Sequence, residues 1–223
     1  MVNKRKIKCI IVTILILTVI FTVFLVKNNR LTDDERKFKY EYERFNGKKN
    51  LSKIKYVKID ILDKNKIKYL TDKQLLKLME EETGVVFFGY PQSNYSRNAI
   101  VVLLDVMSKY KKQNINYYNA YEYRDEKFIG ETGEIVTVKK PSGVYNKILS
   151  YMGEKADVYE GLNDNSIKRL YFPTVLFIKN GKLVKMYSGT VDTNKDNKKF
   201  TKNEYDELKK IYNDGIKKIG INE

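Results

Sequence analysis

The stretch VVFFGYPQSNYSRNAIVVLLDVM, Val85 to Met107, decides the fold. Its first six residues, Val85 to Tyr90, form an apolar run of strand length without alternation, the pattern of a strand buried on both faces. Pro91-Gln92-Ser93-Asn94 breaks the run. Ile100, Leu103, Leu104, Met107 and Tyr110 then recur at helical spacing, which predicts a helix from about Tyr95 to Lys112. Ile115 to Tyr121, INYYNAY, reads as a second strand, and strand, helix, strand in this order predict a right-handed parallel crossover.

Upstream, Thr71-Asp72-Lys73-Gln74 is a capping box that starts a helix carrying Leu75, Leu76, Leu78 and Met79 and closing before Gly84. Lys53 to Ile61, KIKYVKIDI, alternates apolar and charged residues as a half-buried strand does. Earlier still, Thr32-Asp33-Asp34-Glu35 caps a charged helix with a stripe of Phe38, Tyr42 and Phe45 that Asn46-Gly47 ends. Downstream, residues 122–161 interrupt the pattern with a turn-rich stretch around Gly130 and Gly133 and a helix over Val144 to Met152. Leu170 to Lys179 reads as a strand, Asn180-Gly181 as a two-residue hairpin turn, and Leu183 to Ser188 as its antiparallel return. Thr201-Lys202-Asn203-Glu204 caps a closing helix through Leu208, Ile211 and Tyr212.

Composition narrows the chemistry. The 223 residues hold 43 Lys and Arg against 28 Asp and Glu, with one cysteine and no histidine. No Ser-His-Asp triad, Cys-His pair, imidazole metal site, intramolecular disulfide or thiolate zinc cluster can be built from them. Neither a metal site nor a cofactor is therefore expected. Asp192 to Asp196 lacks the glycine and the terminal glutamate of a calcium loop, and Gly-rich phosphate loops are missing.

The net charge of +15 divides in two. Lys4, Arg5, Lys6 and Lys8 form a basic flank over residues 1–8, and the rest of the excess is dispersed from Lys27 onward in runs such as Lys48-Lys49 that suit solvated faces. Between them Cys9 to Val26 runs without a charge, and as a helix it would rise about 27 Å, close to the bilayer hydrocarbon thickness. Small residues before a cleavage point are missing at Phe24-Leu25-Val26-Lys27, so an uncleaved single-pass membrane anchor over residues 9–26 is expected in place of a signal peptide. The basic flank places the N-terminus in the cytoplasm and the remainder outside the cell membrane. Residues 27–52 then form a linker and charged helix, and residues 53–223 the main domain. No nucleic-acid partner is expected, since neither a helix-turn-helix nor a zinc finger nor interleaved aromatics and arginines stand in the chain. Attraction to anionic lipid or cell-wall polymer near the anchor is the functional reading left for the basic surplus.

A buried strand, a break, a long helix, a crossover strand, a strand with a proline, an Asn-Gly hairpin and a last helix is the order of a thioredoxin-like fold. FFGYPQSNYSRNAIVVLLDVM resembles the active-site stretch of membrane-anchored thioredoxin-family proteins of Gram-positive bacteria, in which a Cys-x-x-Cys opens the helix. The resemblance continues through GLNDNSIKRLYFPTVLFIKNGKLV, Gly161 to Val184, and more weakly through KYEYERFNGK, Lys39 to Lys48. The fold class it implies is α/β, thioredoxin-like, a central mixed sheet flanked by helices, with an N-terminal transmembrane helix and a helical insertion. Some relatives of this type accompany bacteriocin export or maturation.

Ser93-Asn94-Tyr95-Ser96 stands where the family carries its cysteine pair, so Ser93 and Ser96 mark the catalytic positions. A serine hydroxyl without a base does not attack a disulfide, and Phe87 occupies the place of a buried proton-transferring acid six residues before Ser93. Two explanations stand: a natural paralogue that kept the fold and lost redox chemistry, and a thiol-disulfide oxidoreductase or isomerase whose cysteines have been replaced. The resemblance implies further that the bond before Pro173 is cis and that Tyr95, Phe172, Pro173 and Thr174 bind an extended peptide or a secreted or membrane protein near Ser93.

Overall fold

The computed structural model describes residues 13–18, 31–110, 113–194 and 198–221. The chain divides into two compact units, Met1–Asp33 and Asp34–Glu223. In the first, residues 13–18 are helical and exposed. This corrects the expected fold class. Among the described residues no helix is long and apolar enough to cross a membrane. The remainder of the expected anchor over residues 9–26, and the basic flank over 1–8, lie outside the described residues.

The second unit is α/β with a mixed sheet. Its elements in order are α1 Asp33–Glu43, β1 Ile67–Tyr69, α2 Asp72–Glu81, β2 Gly84–Phe88, α3 Asn94–Ser108 and β3 Ile115–Tyr118. Then come β4 Glu126–Ile129, β5 Ile135–Lys139, α4 Gly143–Met152, β6 Asp157–Val158, β7 Lys168–Arg169, β8 Thr174–Lys179, β9 Lys182–Ser188 and α5 Lys202–Ile219. Five strands form the main sheet in the order β1-β3-β2-β8-β9. β3 runs parallel to β1 and β2, while β8 runs antiparallel to both β2 and β9.

β2 explains why its sequence does not alternate. Val85 and Phe87 join a core with α1, α3 and α5 on one face, while Val86 and Phe88 join a second core with α2 and α4 on the other. Each face of the strand is buried, so both of its side-chain rows must be apolar. The helices start where the capping residues stand: Thr71 and Thr201 each accept from the N3 amide while Gln74 and Glu204 reach back to the cap.

The segment expected as a strand over Lys53 to Ile61 is extended but belongs to no strand. Apart from a bridge between Lys49 and Lys55, side chains take its backbone. Val57 N donates to Asn94 Oδ1 at 2.7 Å, Ile59 N to Asn46 Oδ1 at 3.1 Å and Ile61 N to Glu43 Oε1 at 2.7 Å. Asn94 and Asn46 also donate to Lys55 O and Ile59 O. The alternation is real, since Val57, Ile59 and Ile61 are buried. It reports which side chains face the core, not what pairs with the backbone.

The insertion is not purely helical. β4 and β5 pair as an antiparallel hairpin through Gly130 and Gly133, ahead of α4. The strand expected from Leu170 starts only at Thr174: the Leu170 amide donates to Tyr145 Oη at 3.0 Å and not into the sheet, and Pro173 has no N–H to give a ladder.

The Asn180-Gly181 turn is locked to the end of α2. Both residues have positive φ, 49° and 72°, as a type I′ turn requires. Gly181 N donates to Glu82 O at 2.9 Å, and a Cβ built on Gly181 would lie 2.0 Å from Glu80 O. Gly181→Ala should therefore destabilise the domain by roughly 2 kcal/mol or more, since a left-handed conformation costs an alanine about 1 kcal/mol and the backbone collision adds to it. Gly133→Ala, also at positive φ but with open space around its Cβ, carries only the first part. Urea unfolding of the two variants checks this, and equal losses would remove the steric argument.

Candidate functional site

Ser93 is the N-cap of α3, with φ −91° and ψ 118°. Its Oγ accepts from Ser96 N at 3.1 Å, its carbonyl accepts the Arg97 amide at 2.9 Å, and its own amide closes a turn onto Tyr90 O at 3.2 Å. Ser96 is fully buried, and its Oγ accepts from Tyr90 N at 3.4 Å. Both serines are thus bound up in closing the turn from Tyr90 to Ser96. The Phe87 ring is buried six residues upstream and supplies neither acid nor base.

Two residues that sequence reasoning passed over hold this turn in place. Asn94 fastens it to the extended segment through Val57 N and Lys55 O. Arg97 is fully buried on α3 and spends its guanidinium on neutral acceptors. Nε donates to Val57 O at 2.7 Å, Nη1 to Tyr42 O at 2.6 Å and Pro91 O at 3.2 Å, and Nη2 to Asn46 Oδ1 at 2.6 Å. Burial lowers its pKa from the ordinary arginine value. The signal in the sequence was an arginine ahead of the apolar run Ala99 to Leu104. The acceptors, though, come from residues far away in the chain.

An aromatic wall stands beside the cap. The Tyr90 ring lies 4.4 Å from that of Tyr121 and 5.6 Å, edge to face, from that of Phe172. The Arg124 guanidinium lies over Tyr121 at 4.3 Å and over Phe172 at 5.6 Å. Burial and then the proximity of Tyr121 push the Tyr90 hydroxyl above its ordinary range, while the Arg124 charge and a hydrogen bond from Ser93 draw it back. Tyr90 therefore links the opening of α3 to the Phe172 wall.

The Phe172–Pro173 peptide bond is cis. Phe172 is half-buried, Pro173 is buried, and Pro173 O accepts the Gly189 amide at 2.7 Å. Among the described residues nothing hydrogen-bonds to the N–H or C=O of Phe172. Tyr95 is half-buried on the first turn of α3. Thr174 is not part of a lining: it is fully buried, its Oγ1 donating to Tyr171 O at 2.7 Å and lying 3.1 Å from Ser188 Oγ.

Larger hollows lie elsewhere. One of about 580 Å³ is walled by Tyr69, Tyr117, Tyr118 and Tyr123. Two more, of about 390 and 330 Å³, share Asp60, Val101 and Tyr205 along α3. Ser93, Ser96 and Phe172 line none of these three. Among the described residues no group of three or more His, Cys, Asp or Glu is placed to hold a metal ion. The Asp192 to Asp196 loop is described only as far as Asn194.

Comparison of the chain with protein-family models, with curated proteins and with solved structures finds no match in any of the three.

Proposed function

We propose that this is a binding protein of thioredoxin-like type that receives an extended peptide or a segment of a partner protein beside Phe172 and Pro173, without thiol-disulfide exchange at Ser93 and Ser96. The observation that carries the reading is the unpaired backbone of Phe172, standing just before β8 against the aromatic wall at the opening of α3. An extended peptide running past it gains main-chain hydrogen bonds from this residue and ring contacts from Tyr90, Tyr121 and Phe172. The strand order, with three parallel strands followed by an antiparallel hairpin, also supports the reading.

Chemistry argues the second half. The turn hydrogen bonds of Ser93 and Ser96 come from backbone amides, so the hydroxyls are not activated by a base. The full chain is expected not to speed the reduction of insulin by a dithiol beyond the uncatalysed rate, and acceleration of insulin reduction would overturn this part.

Binding is tested with pools of hexapeptides titrated against the full chain, followed by tyrosine fluorescence. Phe172→Ala should weaken the best pool by about tenfold, the effect of removing one aromatic anchor. Phe128→Ala, half-exposed on β4, is the control and should change little. Equal effects of the two would remove Phe172 from the site.

A further inference from the structure

Arg124 follows the short turn Tyr121–Tyr123 and lays its guanidinium across two rings of the wall. Stacking of this kind fixes the plane of the group without consuming any of its N–H donors. Its Nε is closed off from solvent and finds no hydrogen-bond acceptor among the described residues. The side chain as a whole remains half-exposed, which leaves the terminal nitrogens as the donors a ligand can reach.

The neighbouring charges do not neutralise it. Asp125 is buried and turns its Oδ2 toward Lys127 Nζ, at 3.6 Å, while its Oδ1 has no partner among the described residues. Arg169 is stacked over Tyr159 at 4.0 Å, across the β6-β7 pair from Asp157. Asp125 is thus paired with Lys127, and no ion pair holds Arg124 among the described residues. Asp125, Arg169 and Arg124 all act on Tyr145, whose hydroxyl is pushed up to about 12 by burial above all. Through Tyr121 and Tyr90, Arg124 stands near the opening of α3, where backbone amides add positive potential of their own.

We infer that Arg124 is the carboxylate anchor of the groove, so that the peptide it receives carries an acidic side chain or a free C-terminal carboxylate at that point. A carboxylate accepts two parallel N–H bonds from a guanidinium held flat in this way, and the stacked rings shield the pair from water. A purely structural arginine would instead act as a staple between Tyr121 and Phe172, and its loss would affect folding but not ligand preference. The inference rests on the peptide-binding reading above.

Three hexapeptide pools, amidated at the C-terminus, each fix one central position as Asp, Asn or Lys, and a fourth pool with Asn at that position keeps its free C-terminal carboxylate. Each is titrated against the full chain at low salt. The Asp pool or the free-carboxylate pool should bind roughly tenfold or more better than the neutral amidated pool, the range of a charge-assisted bidentate bond, and whichever does so identifies the source of the carboxylate. Arg124→Gln should bring that preference to within about twofold, whatever its effect on the affinity of the neutral pool. Arg124→Lys keeps the charge but not the flat fork and should retain only part of the preference. If the Asn pool binds as well as both acidic pools, or if the preference survives in Arg124→Gln, the anchor is wrong while the groove stands. If no pool binds, the peptide-binding reading falls and the anchor falls with it.

Discussion

Arg97→Met should lower the stability of the domain by about 3–5 kcal/mol, the cost of leaving several buried acceptors without their donor at once. Methionine matches the aliphatic part of arginine, so the cavity term is small. The loss comes from the acceptors. Val57 O, Tyr42 O, Pro91 O and Asn46 Oδ1 all receive N–H bonds from this guanidinium, and three of them are backbone carbonyls that no substitution can remove. Each buried acceptor left bare costs about 1–3 kcal/mol, less whatever water can enter to replace it. Arg97→Lys keeps the charge but offers a single ammonium to acceptors set around a fork, so it should recover only part of the loss. Urea unfolding gives the energies. Hydrogen exchange gives a second reading, because the Val57, Ile59 and Ile61 amides should exchange faster once the extended segment is released from α3. If Arg97→Met stays within about 1 kcal/mol of the parent, water already satisfies those carbonyls and the account of how the α3 opening is held fails.

That network also marks where the sequence stops being legible. The capping boxes at Thr71 and Thr201, the doubly buried run of β2 and the Asn180-Gly181 turn depend on residues adjacent in the chain, so their local chemistry can be read directly. The segment over Lys53 to Ile61 shows the limit. Its period of two was correct about burial and silent about pairing, because its bonding partners are Glu43, Asn46, Asn94 and Arg97, brought there only by the tertiary fold. A buried arginine without a carboxylate nearby in sequence looks the same as an exposed one until its carbonyls are located.

The candidate site divides the same way. Ser93 could be read as a cap from its place before an apolar helical stripe, and Phe172 and Pro173 were singled out next to it. The resemblance puts Thr174 in the site too, yet a residue entering a strand alternates its side chain to the opposite side, and this one turns to Ser188 on β9. Tyr90, Tyr121 and Arg124 went unremarked, since nothing in the chain between Tyr90 and Tyr121 announces that their rings will lie 4.4 Å apart. The apolar run over residues 9–26 was read by its length as a helix. Hydropathy fixes what such a segment would span if helical throughout, and only residues 13–18 of it lie among the described residues.

Ser93→Cys with Ser96→Cys should let the protein form an internal disulfide and speed the reduction of insulin by a dithiol. The expectation follows from the turn that already exists. At position 93 the side chain accepts the amide of residue 96 at 3.1 Å, at the positive end of a fifteen-residue helix. A thiolate placed there gains a charge-assisted hydrogen bond and the helix field, both of which depress its pKa below the ordinary value of about 8.5. Position 96 is fully buried and position 93 is not quite closed, so the outer sulfur should attack and the inner one resolve. Ser93→Cys alone should stop at a mixed disulfide with the substrate, and Ser96→Cys alone should react slowly with any thiol reagent. The buried ring of Phe87 leaves the inner thiol without a proton acceptor, so turnover in the double variant should be slow and should rise with pH as that thiol ionises. Absence of a disulfide after oxidation, measured by mass and by thiol titration, would mean that the turn from Tyr90 to Ser96 is a helix cap and nothing more.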